Sequence, residues 1–222
     1  MCSRDPGGGT GLTSGGFWSI VQAMEQITWT QMDQGSKADY DMLGTIFAAH
    51  VESELVSNLV TLLKMMEGPK LGYQIDRYQH SLQSATRALR AEESLDMVVA
   101  ALLHDVGDSF APHNHSAAAA AMLAPFVDDE THWVIKHHGL FQGYYYFHHM
   151  DGDRNARDIY HENEHYEACV KFCQNYDQNC FDPDYPTLPV EDFIPMMNEL
   201  FSRESKVPGV APMGMTKDIH IN

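Results

Sequence analysis

Basic side chains are scarce in this chain. Its 222 residues hold 14 Lys and Arg against 31 Asp and Glu, a formal charge of −17. That scarcity argues against a nucleic-acid binder, which needs clustered cations to meet phosphates. It argues equally against an anionic membrane surface. Long apolar runs are missing too. No stretch reaches the roughly 18 consecutive apolar residues expected of a membrane-crossing helix. The opening Met1-Cys-Ser-Arg-Asp-Pro-Gly-Gly-Gly lacks the apolar segment of a signal peptide. Only four cysteines occur: Cys2, Cys169, Cys173 and Cys180. Such sparse use suits free thiols in a reducing compartment, read here as the cytoplasm. Cys169 and Cys173 lie i,i+4 on one helix face, where core packing is the expected role. No run alternates as a strand would, and there is no internal repeat. The expected fold is all-α, a helical bundle with one core that builds its site from side chains on facing helices.

What is present is helical periodicity. Residues 1–16 are rich in Gly, Ser and Thr and are expected to be disordered. Phe17 to about Thr30 is expected to form a short helix. Asp39 to Met66 carries Met42, Leu43, Ile46, Phe47, Val51, Leu55, Leu59 and Leu63 at helical spacing, with Gly68-Pro69 beyond its end. Further helices are expected at Asp76–Ala91 and, capped by Ser94, at Leu95–Val106 with Gly107 as the stop. Others follow from Asn114 or His115 to Leu123, at Asp129–His138 with Gly139 as the stop, at Asn163–Asn179 and at Glu191–Arg203. Tyr144–His149 fits a strand or a helix. Phe181–Pro189 holds three prolines and must be a loop. The domain is expected to span 17–203, followed by a flexible tail over 204–222.

Histidine is abundant, with 13 in the chain and most of them between His104 and His165. His104-Asp105 closes the apolar run that starts at Met97. An ionised Asp at the end of a buried helix is costly unless paired or bound to a metal. His80, His115, His138 and Asp177 are the residues that could answer it, with His113 and His137 as competitors. Imidazole and carboxylate donors suit Fe, Mn, Zn or Co and not calcium. One ion could take His80, His104, Asp105 and Asp177. A second could take His115 and His138, with Asp105 bridging. Both would need water or substrate to complete their shells, the mark of a catalytic site. His104 and Asp105 are the expected catalytic pair. His148-His149 reads as a solvated pair.

In this order, His80, His104-Asp105, His115, His138 and Asp177 resemble the six-ligand dinuclear motif of the HD-domain superfamily. The resemblance covers residues 72 to 203 and implies a helical fold around two metals. It has two branches. One contains phosphohydrolases and phosphodiesterases. The other contains mixed-valent diiron oxygenases, such as myo-inositol oxygenase and the phosphonate-cleaving oxygenases. Gln79-His80-Ser-Leu-Gln83-Ser-Ala85, Ile135-Lys-His-His138-Gly-Leu-Phe-Gln142-Gly and Tyr176-Asp177 are similar to segments of the oxygenases. That likeness implies two Fe ions as Fe(II)/Fe(III), with O2 and a small hydroxylated molecule as partners. Mn, Zn or Co are the alternatives.

The chain departs from the oxygenase pattern at its substrate positions. Lys70, Gly72 and Tyr73 stand where a Tyr and a Glu are expected before the first His. Gln142 replaces a phosphonate-binding Lys, Gln174 replaces an Arg, and Asp108 replaces the Lys of the inositol enzyme. Tyr73, Asp108, Gln142 and Gln174 are therefore the candidate substrate residues. Arg77, Arg87 or Lys136 could take over anion binding. Tyr144, Tyr145, Tyr146, Phe147 and Phe141 could instead hold an ammonium group, although core packing is the commoner role of such rings. A phosphohydrolase on the same scaffold, and a binding module that keeps the metal without turnover, are the competing functions.

Overall fold

The computed structural model describes residues 26–206. The segment 1–16, most of the expected helix from Phe17 and nearly all of the tail from 204 lie outside the described residues. Residues 26–30 are irregular and not helical. The Trp29 indole N–H donates to Asp39 (3.2 Å), tying this strand of chain to the next helix.

Among the described residues there are seven α-helices and no strand. They are α1 (Lys37–Lys64), α2 (Arg77–Arg90), α3 (Leu95–Leu103), α4 (His115–Leu123), α5 (Asp129–Gln142), α6 (Tyr166–Phe172) and α7 (Val190–Phe201). The all-α expectation is borne out. Ser36 opens α1 with a reciprocal capping box to Asp39. Asp76, Ser94 and Asp128 cap α2, α3 and α5 by accepting from backbone N–H groups three residues on.

α3 is apolar all round, so it is buried all round. Val98 to Leu103 are wholly enclosed between α2, α5 and α7. α2 packs on α3, α4 on α5, and α5 on α6. α1 contributes Leu59 and Leu63 to this core from its C-terminal half. By length and composition alone α1 would pass for a membrane-crossing helix, with hydropathy 1.3 in its most apolar window. The proline-rich loop after Phe181 is held on α2: Gln83 donates to the Asp182 carbonyl (2.5 Å) and the Leu188 N–H donates to Thr86 (3.1 Å).

Several helix ends differ from expectation. α3 stops at Leu103, three residues early, and a 3-10 turn spans Val106–Ser109. Gly107 sits inside that turn, where a Cβ would lie 2.7 Å from the His115 backbone. Gly139 does not end α5, which runs on to Gln142, so His138 lies inside the helix and not at its C-terminus. Tyr144–His149 forms 3-10 turns, and the helix expected at 163–179 is shorter. α6 passes into a π turn over Cys173–Asp177. Such widened turns often occur at functional sites.

Candidate metal centre

His80 projects from α2, His104 and Asp105 from the end of α3, His115 from the start of α4, His138 from α5 and Asp177 from the π turn. All six converge. The Nε2 atom of His80 lies 3.2 Å from that of His104, 3.4 Å from Asp105 Oδ2 and 3.4 Å from Asp177 Oδ1. His104 Nε2 lies 3.5 Å from Asp105 Oδ2. On the other side of the same carboxylate, Oδ1 lies 3.3 Å from His138 Nε2 and 3.6 Å from His115 Nε2. The two oxygens of Asp105 thus face two separate groups of donors.

Each imidazole is oriented from behind. The Nδ1–H of His80 donates to the Cys180 carbonyl (3.0 Å), that of His104 to Ala101 (2.7 Å) and that of His138 to Ile135 (2.7 Å). His115 Nδ1 lies 3.3 Å from Asp108 Oδ1. A carbonyl can only accept, so these rings carry their hydrogen on Nδ1 and turn a lone pair inward from Nε2. Imidazole lone pairs and two carboxylates then face one another in a space that is almost wholly buried. That acceptor-rich set fits divalent cations.

The protonation behaviour agrees. Burial works to raise the Asp105 pKa, but His104 and His138 outweigh it and hold the carboxyl well below its ordinary value. Burial pulls His104 down to about 4. In His80 burial opposes protonation, yet the Asp177 hydrogen bond and the Asp105 charge raise its pKa. In His138 burial is likewise outweighed by Asp105. The cluster draws positive charge to itself.

The competitors stand apart. His113 is exposed. His137 stacks on Trp133 (4.2 Å) and is hydrogen-bonded through Nδ1 to its carbonyl. His148 and His149 form an exposed pair. Cys169, Cys173 and Cys180 are buried free thiols, and burial pushes Cys180 up to about 12.

A cavity of about 290 Å³ opens onto Asp105, His115, His138 and Asp177. Tyr73 and Gln142 line it, and the Gln142 amide N–H donates to Asp177 Oδ1 (3.0 Å). Asp108 stands behind His115, close enough to Asp105 and His115 to join that donor group. Gln174 is misplaced in the sequence reading. It is exposed and does not line the cavity, whereas Gln178 does. Phe181 was not singled out from the sequence. It stacks on His80 (4.5 Å) and Tyr73 (4.8 Å), and no pattern marks a lone aromatic in a loop.

The proposed ring box for an ammonium group does not form. Arg154 and Arg157 lie 4.2 and 3.9 Å from the Tyr144 ring centre, and Phe141 is buried in the core. Only Tyr145 and Tyr146 of that group reach the cavity.

Residues 77–177 match the family model of the HD domain. This segment is therefore similar to the HD domain. The match begins at Arg77, ends at Asp177 and includes all six converging side chains. No curated protein matches the chain. HD domains are in general metal-dependent enzymes, and the clusters His80/His104/Asp177, His104/Asp105/His138 and Asp105/Asp108/His115 could each hold a metal.

The close approach at Gly107 gives a test of how the site sets its donors. Gly107→Ala meets the His115 backbone, which cannot turn aside, and overpacking of this kind costs about 1–3 kcal/mol. At Gly139 a Cβ comes too close only to the Ser116 hydroxyl (2.8 Å), which can rotate, and makes ordinary contact with the His115 ring (3.5 Å). Gly107→Ala is expected to lower thermal stability and metal content, whereas Gly139→Ala does so less. Melting curves with metal analysis check this, and an equal loss in both variants would contradict it.

Proposed function

We propose that the protein is a dinuclear HD-domain oxygenase that uses two irons and O2 to oxidise a small hydroxylated molecule. The carrying observation is the Asp105 carboxylate, whose Oδ2 faces His80 and His104 while Oδ1 faces His115 and His138. In this reading His80, His104, Asp105 and Asp177 hold one ion, and Asp105, His115 and His138 hold the other. Mixed-valent iron bound there would supply O2 activation and removal of hydrogen from a substrate C–H bond.

The chain's own residues then bind and orient. Gln142 fixes the Asp177 carboxylate. Phe181 covers His80 and shields it from water. His115, His138, Asp105 and Asp177 face the cavity, so substrate can approach both donor groups from it. Restricting the substrate to one orientation is the main service such a wall performs. The partners are a small molecule and O2. With a charge of −17, neither nucleic acid nor an anionic membrane surface is a partner.

A phosphohydrolase would use the same donors to orient water. The likeness of the segments around His80, His138 and Asp177 to the oxygenases is what favours oxidation. Among the cavity's lining residues Arg77 alone carries a fixed positive charge, and it is shared with Asp105 (3.5 Å) and Asp108 (3.4 Å). Beyond the two ions, a phosphoryl group would find no other fixed cation among the lining residues.

Mössbauer and EPR spectroscopy of the iron-loaded protein provide the test. A mixed-valent signal with O2 uptake on substrate addition supports the oxygenase. A redox-inert ion pair that releases phosphate from a generic ester overturns it. The two donor groups should also separate by mutation. His80→Ala and Asp177→Ala are expected to weaken one ion by about 10-fold or more, and His115→Ala and His138→Ala the other. Metal titrations that show one uniform loss in all four variants would contradict the assignment.

A further inference from the structure

We propose that the N-terminal half of α1 is a docking surface for a second copy of this chain, packed antiparallel about a twofold axis. The association needs no metal. α1 is 28 residues long, but only its C-terminal part belongs to the core. Among the described residues, it meets the core through Leu55, Val56, Leu59, Val60, Leu62 and Leu63. Lys37–Glu54 runs on beyond that core for about five turns. A helix that faces only water is polar all round, and this stretch is not. Phe47 is 41% exposed, and Tyr40 and Val51 are partly exposed.

The spacing of these residues defines a seam. Lys37, Tyr40, Gly44, Phe47, Val51 and Glu54 follow one another at alternating steps of three and four, the repeat of a coiled coil. Two such seams match when they run in opposite directions, as a twofold axis requires of one patch meeting itself. Tyr40 then faces the second copy's Val51, Gly44 faces its Phe47, and Lys37 faces its Glu54.

Gly44 marks the centre of the contact. It is buried, yet a Cβ added there would meet nothing within 4 Å, so room remains for the second copy's ring. Glycine inside a helix is unfavourable, and close approach by another surface accounts for it here. A parallel pair would set Phe47 against Phe47 and like charges against each other at both ends. Lys37 is 87% exposed, and its contact to Asp41 lies within one turn of its own helix. It is therefore placed to meet Glu54 of the other copy. Rim pairs of this kind fix orientation more than affinity.

Five turns make a small interface, so a dissociation constant of about 10–100 µM is expected. Sedimentation velocity of the full chain, from well below to well above that range, should show the mass rise from one chain to two. Phe47→Glu and Gly44→Leu are each expected to weaken association about 10-fold or more. The new Cβ of Gly44→Leu enters open space, so its melting temperature should match or exceed the native one. That separates lost docking from lost folding. Lys37→Glu and Glu54→Lys should each weaken association alone and restore it when mixed in equal amounts. A single-chain mass at every concentration overturns the proposal, and so does native association in Phe47→Glu or in Gly44→Leu. Charge variants that pair as well as the native chain, or a mixture no better than either alone, overturn the antiparallel register. Binding of the full chain to phosphatidylcholine vesicles without self-association would assign the face to lipid and overturn it too.

Discussion

Asp105→Ala is expected to fold, to bind at most one metal per chain and to lose activity by a factor of about 10³ or more. The reason lies in how the donors are shared. Asp105 alone reaches both groups, with His80 and His104 at 3.4 and 3.5 Å from Oδ2 and His138 and His115 at 3.3 and 3.6 Å from Oδ1. Without it the second group keeps two imidazoles and the more distant Asp108. A factor of 10³ corresponds to about 4 kcal/mol of lost transition-state stabilisation, which is modest for removal of a bridging ligand. Folding should survive, because the variant also removes the cost of burying a carboxylate. Asp105→Asn separates the two roles. It keeps the volume and one acceptor but not the charge, and it should resemble Asp105→Ala in metal content. Elemental analysis and circular dichroism measure both quantities. Two metals per chain in either variant would refute the bridge.

The donors were legible in the sequence because their cost is local. A His-Asp pair closing an all-apolar run demands a partner wherever the rest of the chain lies. The all-α class was legible for a similar reason, since a capping residue such as Ser94 stands directly before an apolar run. The helix ends were not. Gly107 and Gly139 read as stops, yet both are small because α4 passes close by, and close approach is a tertiary fact. His138 consequently lies inside a helix, with α5 continuing for another turn beyond it. The π turn at Cys173–Asp177 was equally hidden, because no residue type demands an i→i+5 turn. Arg77 was only one of three basic residues available, since an Arg in the first turn of a helix looks like ordinary surface charge until its neighbours are known.

Removing the metals should destabilise the whole domain. The donors come from three helices, the end of a fourth and the π turn, so ions held there tie the bundle together. At a free metal concentration of 100 times the dissociation constant, one site stabilises by about 2.7 kcal/mol. For a chain of this size each kcal/mol moves the melting temperature by about 2–4 °C. Chelation is then expected to lower it by about 5–11 °C per site. The gap should depend on pH with a definite sign. His80 and His138 have raised pKa values in the metal-free protein, so both hold protons that a metal must displace. Metal binding releases those protons and therefore strengthens as pH rises. The gap between metal-loaded and chelated protein should widen as pH climbs from the ordinary imidazole value of 6.5 through the raised values, then level off. Scanning calorimetry with and without chelator across that range measures it. A gap that narrows with rising pH would mean that the ions bind elsewhere than at these imidazoles.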